Sequence, residues 1–132
     1  MSDDAGKLIL RLTVGILMLM HGLFKLTNGI APIVGMVTAK GWPAFIAYGV
    51  YVGEVLAPIL LILGLFTRPA ALLVAINMVV AIILAHADQL GQITQNGGWR
   101  LELQGLYLFG AVAIALLGAG RYSLTGAGGR YN

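Results

Sequence analysis

Long apolar runs alternate along this chain with short polar or glycine-rich breaks. A helix needs about 20 apolar residues to cross ~30 Å of hydrocarbon. Four runs have that length: Lys7 to about Thr27, about Pro43 to Phe66, Pro69 to about Asp88, and about Leu101 to Gly120. In lipid each must be a helix, because a strand edge would leave its backbone groups without partners. Thr67-Arg68-Pro69 reads as a tight turn in which proline opens the next helix, where its missing N–H costs nothing. The second and third runs therefore form an antiparallel hairpin.

Two stretches lie outside these runs. Residues 29–41 carry Ile30, Ile33, Val34 and Val37 at helical spacing, with Pro32 near the start and Lys40-Gly41 at the end, which predicts a short helix. It is too short to cross and is expected at the membrane interface. Residues 89–99 are polar and rich in glycine, the composition of a loop. Trp42 and Trp99 suit the aromatic belt at the same interface.

Composition sharpens this picture. Of 132 residues, 59% are hydrophobic and 10% charged, against about 25% charged in a soluble domain. A soluble domain of this size has too much surface to hide so many apolar side chains. The expected fold is all-α: an integral membrane four-helix bundle with a short interfacial helix between the first and second spans. It forms one membrane domain over residues 1–132, with the lipid bilayer as its principal partner. The absence of cysteine excludes a disulfide framework, a thiolate zinc site, an iron–sulfur cluster and a CxxC redox pair.

Eight Lys and Arg give a net charge of +3. They are scattered between apolar stretches, as loop charges are, and no nucleic-acid partner is expected. Asp3 and Asp4 occupy the place where a signal peptide would be basic, so the first span is expected to be retained. With the termini on one side, that side collects Lys7, Arg11, Arg68, Arg121 and Arg130, and the other has Lys25, Lys40 and Arg100. The positive-inside rule then predicts a multi-pass protein of the cell (inner) membrane with cytoplasmic termini.

Ionisable groups inside a span are costly and point to a site by default. Five stand out: His21 and Lys25 on the first span, Glu54 on the second, His86 on the third and Glu102 on the fourth. At ~1.5 Å per residue, Glu54 lies roughly 16 Å in from the outer end, His21 roughly 9 Å and the others within about 5 Å. All sit in the outer half, which suggests a polar funnel open to the outside with Glu54 at its floor. His21, Glu54 and His86 are expected to approach a common cavity, with Lys25 and Glu102 at its mouth.

Plainer roles are available to most of the five. Lys25 and Glu102 can snorkel to the interface, His86 can be solvated, and His21 can act as interhelical glue. Glu54 cannot stretch to water, so a structural ion pair is its plain alternative. Tyr51, three residues earlier on the same helical face, is placed to hydrogen-bond it. Pro58 should kink the helix and free a carbonyl nearby. Asn77 and the small residues Gly15, Gly22, Gly49 and Gly53 read as packing features.

The order of short motifs carries a resemblance. His21-Gly22-Leu23-Phe24-Lys25 closes the first span, Gly53-Glu54 lies in the second, and Leu63-Gly64-Leu65-Phe66-Thr67-Arg68-Pro69-Ala70-Ala71 forms the turn. His86 ends the third span, Glu102 opens the fourth, and Gly118-Ala119-Gly120-Arg121-Tyr122-Ser123-Leu124 follows it. This set resembles the DoxX family over nearly the whole chain. Thr125 stands where the family's terminal Ser-Leu-Asp has its Asp. The resemblance implies a small four-helix bacterial membrane protein associated with quinone-linked oxidation, as a subunit of a quinol oxidase or a thiosulfate:quinone oxidoreductase. It also implies membrane complexes that join superoxide dismutase to a sulfur-transfer enzyme.

Two classes of function follow. In the first, the chain is a quinone-interacting subunit of an oxidoreductase: Glu54, His21 and His86 act on protons, and Lys25, Tyr51 and Glu102 complete the binding site. In the second, it is a non-catalytic scaffold or a small permease whose polar funnel takes a solute, a proton or a partner's loop. Quinone is the expected cofactor. Haem is disfavoured, since two histidines at unequal depth make a poor axial pair, and no metal site is expected. Oxidoreductase partner subunits and a homo-oligomer both fit, and whether the chain has an activity of its own stays open.

Overall fold

The computed structural model describes residues 2–126, 131 and 132, and the Arg130 counted for orientation lies outside them. The described residues are organised as five helical stretches: α1 (Ser2–Asn28), α2 (Ala31–Ala39), α3 (Ala44–Leu63), α4 (Thr67–Gln89) and α5 (Glu102–Leu117). Helices α1, α3 and α4 are long and apolar enough to cross a membrane. Helix α5 is also apolar but has 16 residues, about 24 Å of helix, and is shorter than the Leu101 to Gly120 run because Gly118 turns the chain with φ 83°.

The other ends follow local chemistry. α1 starts before the predicted Lys7, with Asp3 and Asp4 in its first turn, where carboxylates oppose the positive end of the helix dipole. α3 stops at Gly64, whose φ of 76° and ψ of 41° form a left-handed cap that glycine adopts without a β-carbon clash. Phe66 adopts the same region at φ 45°, a conformation that costs a non-glycine residue about 1–2 kcal/mol. The loop after α4 closes on itself through an antiparallel bridge between Ile93 and Trp99.

The core runs through the middle of the bundle. Val14 and Met18 of α1 meet Ala57 and Leu61 of α3, Ala71, Val74 and Met78 of α4, and Tyr107, Ala111 and Ile114 of α5. The alanines let α4 approach its neighbours closely, a packing mode that serves helices in lipid, where burial of apolar area gives no drive. A second cluster, with Ile30, Val37, Ala47 and Val50, seats α2 across the start of α3 and the end of α4.

At the opposite end, Arg11 ties three segments together. Its guanidinium donates to the carbonyls of Leu61 (2.7 Å), Ala119 (2.6 Å) and Tyr122 (2.8 Å), and the residue is 2% exposed. Arg68 donates to the carbonyls of Ala115 and Leu116 at the end of α5, orphan acceptors that the helix itself cannot satisfy. Asn132 accepts from Thr67, both N–H and hydroxyl. Thr125, where the resembled motif has Asp, donates its hydroxyl to the Gly64 carbonyl. The Leu-Gly turn and the segment after α5 are thus two halves of one structural knot.

Candidate functional site

Pro58 sets the local geometry of the site. It has no N–H to return to the carbonyl of Glu54 one turn earlier, and its ring crowds that carbonyl. The helix responds by widening over Val52–Leu56 into a π-turn, with the Ala57 N–H bonded to the Val52 carbonyl. Such bulges concentrate at functional sites. The main-chain carbonyl of Glu54 then faces Gly22 of α1 so closely that a β-carbon there would overlap it.

The close approach brings Lys25 into play. It sits three residues after Gly22 on the same side of α1, and helical side chains lean back toward the N-terminus. Its Nζ therefore descends to the level of Glu54 and donates to Oε1 at 2.5 Å. The second oxygen, Oε2, accepts from Asn77 Nδ2 at 2.8 Å. Gly53 makes room for this, since a β-carbon there would come within 2.5 Å of the Asn77 β-carbon. The Glu54 side chain is 4% exposed and that of Lys25 26%, so the carboxylate is enclosed while the ammonium retains an open side.

That open side borders a cavity of about 580 Å³ between α3 and α4. Lys25, Glu54, Asn77 and His86 are the polar groups on its wall, and the remaining lining is apolar or glycine. His86 stands at the end nearest α2, its Nδ1 3.0 Å from Gln89 Oε1 and its Nε2 3.4 Å from Gln104 Nε2. An imidazole protonated on Nδ1 meets both contacts, donating to Gln89 and accepting from Gln104.

The other expected site residues lie elsewhere. His21 is exposed and is absent from the cavity wall. Gly22 points at α3, and a residue one position away is turned by about 100°. His21 accordingly faces α5 and packs edge-on against Tyr107, with ring centroids 5.8 Å apart. Tyr107, which no sequence feature singled out, is buried in the core of the bundle. Tyr51 packs with the α2 cluster, and both Glu54 oxygens are bonded to Lys25 and Asn77 instead.

Glu102 does not meet Lys25 at a shared mouth. It is exposed at the start of α5 and borders a separate groove of about 550 Å³ against α1. In place of the expected open funnel there is a cavity with α2 packed across the start of α3 and the end of α4. Among the described residues no group of three His, Cys, Asp or Glu is placed to hold a metal ion.

Arg11, counted among the loop charges, is a buried group four residues inside the Lys7 to Thr27 run, a position that by itself marks it as an intramembrane charge. Asn77, expected as packing glue, donates to the Glu54 carboxylate.

The profile of the DoxX family matches residues 6–87, a span that contains every polar group on the cavity wall. An uncharacterized protein of Haemophilus influenzae is 34% identical over 118 residues, which cover 87% of this chain and 84% of that protein. A Bacillus subtilis protein named "Putative oxidoreductase CatD" is 34% identical over 82 residues, 62% of this chain and 60% of that protein. No solved structure gives a significant match.

Proposed function

The chain belongs to the DoxX family of membrane proteins, and from that premise we propose that it is a quinone-interacting subunit or partner of a membrane oxidoreductase complex. The observation that carries this reading is a hydrogen-bonded Lys25–Glu54–Asn77 group midway along α3 and α4, on the wall of a cavity that is apolar or glycine apart from these groups and His86. The oxidoreductase name of the Bacillus subtilis relative points the same way. In this reading all four long apolar segments cross the bilayer, α5 completing its span with the residues that flank it. α2 lies at the interface, and both ends of the chain face the cytoplasm of the inner membrane.

A bound quinone exchanges electrons and protons at its ring carbonyls. Lys25 has donors left to offer such an oxygen after its bond to Glu54, because an ammonium carries three. Glu54 holds that ammonium in position, and as a carboxylate it can take up a proton. Asn77 fixes the carboxylate's orientation. His86 stands between the cavity and the outer surface, where a neutral imidazole can pass a proton on. With no cysteine, the chain has no thiolates to hold an iron–sulfur cluster, so electrons pass to or from a partner subunit.

Mass spectrometry of the organic extract of the purified protein, with a visible spectrum, tests the reading. Quinone enriched over the parent membrane is the expected result. An extract without enrichment overturns it and leaves the scaffold or permease alternative, and a Soret band would bring haem back.

A further inference from the structure

We propose that the α3–α4 cavity receives its ligand from the lipid phase, through a side opening between the two helices. The ligand class is a lipid-soluble molecule with a hydrogen-bond-accepting head and an apolar tail. The inference rests on the reading of this cavity as a ligand site, and it adds the route and the ligand's shape.

Three observations carry it. First, the water side is covered: α2 spans the outer ends of α3 and α4, burying Val37 against the cluster that contains Ala47 and Val50. Second, the flank is open at the depth of the polar group. Val52 and Ile76 both line the cavity and are 40% and 58% exposed, so packing between α3 and α4 does not seal the wall at this depth. With both helices in lipid, such a gap between apolar side chains opens toward acyl chains. Third, the wall along α4 runs from Leu73 to His86, about 20 Å of helix, with Asn77 near its inner end. That is a slot with its polar groups gathered at Lys25, Glu54 and Asn77 and a single further one, His86, at the opposite end, suited to a head group that stops at Lys25 and Asn77 while its tail leaves past Val52 and Ile76.

A water-soluble solute fits poorly. All but four of the residues lining the cavity are apolar or glycine, and of those four groups Glu54 already has both oxygens bonded. The His86 ring nitrogens face Gln89 and Gln104, so what remains is donor capacity on Lys25 with the rest of the Asn77 amide beside it, and the charged donor favours an acceptor. Pockets of this volume hold small organic molecules that are gripped mainly by apolar contact and oriented by a few polar groups.

The test uses the natural lack of cysteine. Single nitroxide labels at Val80→Cys and Ala81→Cys, both on the cavity wall, are introduced into the full chain in phosphatidylcholine vesicles. Leu106→Cys on the exposed face of α5 and Gln95→Cys in the polar loop serve as lipid and water references. Either cavity position suffices if the other fails to reconstitute. Collision with dissolved oxygen should exceed collision with a water-soluble nickel chelate, giving the ratio of the lipid reference. The ratio of the water reference at the cavity positions would overturn the side opening, whatever the ligand. Decylubiquinone added to the same vesicles should lower oxygen collision at the cavity label by about twofold or more, as occupancy excludes it. No change on addition, with a lipid-like ratio retained, would count against quinone and leave the side opening standing.

Discussion

Gly22 of α1 lies directly against the main-chain carbonyl of Glu54 in α3, with no space for a β-carbon between them. The contact is backbone to backbone, so no flexible side chain can move to relieve a substitution. It also sets the distance that Lys25, one turn further along α1, must bridge to reach the Glu54 carboxylate.

Gly22→Ala should therefore separate α1 from α3 and weaken the ion pair at the same time. Overpacking of this kind costs about 1–3 kcal/mol. Thermal unfolding in detergent is the measurement, and an unchanged midpoint would show that the helices do not approach as closely as described.

The ion pair itself calls for a double-mutant cycle. Glu54→Gln leaves the Lys25 ammonium without its counter-charge. Removing one partner of a fully buried pair costs about 3–5 kcal/mol. Lys25 is 26% exposed, but its open side borders the apolar cavity, where little water is present to screen it, so a loss of about 3–5 kcal/mol is expected. Adding Lys25→Met to Glu54→Gln should recover at least half of it. Strictly additive single effects would mean that the two side chains are not coupled. A stable Glu54→Gln protein that has lost quinone-dependent activity in its partner complex would instead assign Glu54 a proton-handling role.

Asn77→Leu keeps the volume but removes the donor to Glu54 Oε2. An enclosed acceptor left without its partner costs about 1–3 kcal/mol. Equal stability to the parent protein, measured by the same unfolding assay, would mean that another donor replaces the amide.

Arg11→Lys preserves charge but not the planar fork that reaches the carbonyls of Leu61, Ala119 and Tyr122 together. An ammonium cannot match that geometry, and the buried carbonyls it leaves unpaired should cost about 2–4 kcal/mol in sum. Limited proteolysis should cut the segment after α5 sooner in the variant. Parent-like digestion would show that the knot holds without Arg11.

Orientation is tested with single cysteines at Ser2 and Gln95 and a membrane-impermeant thiol reagent added from outside. Labelling is expected at Gln95 alone. Labelling at Ser2 would reverse the topology drawn from the basic residues.

The long apolar runs, a tight connection just before Pro69 and the cost of placing Glu54 inside a span were legible in the sequence, because each depends on local composition or on distance along a helix. The turn itself falls at residues 64–66, and Thr67 and Arg68, expected in it, already belong to α4, because Gly64 takes the left-handed cap that stops α3. Membrane character and the depth of an ionisable group need no knowledge of neighbours. Pro58 was legible for the same reason: its missing N–H acts on the residue four positions before it, and that residue is Glu54. Which way each group turns was decided only in three dimensions. His21 and Lys25 are a single helical turn apart, yet His21 packs on Tyr107 while Lys25 reaches Glu54, because Gly22 alone determines which face of α1 meets α3. Glu102 shares the outer end with Lys25 but borders another groove, since the rotation of α5 about its axis follows from its packing on α4. Arg11 looked like a loop charge until residues 50 and more than 100 positions away in the chain supplied its acceptors. Contacts of that separation leave no periodic trace in a sequence, and in lipid they decide which polar groups are satisfied and which are left to bind something else.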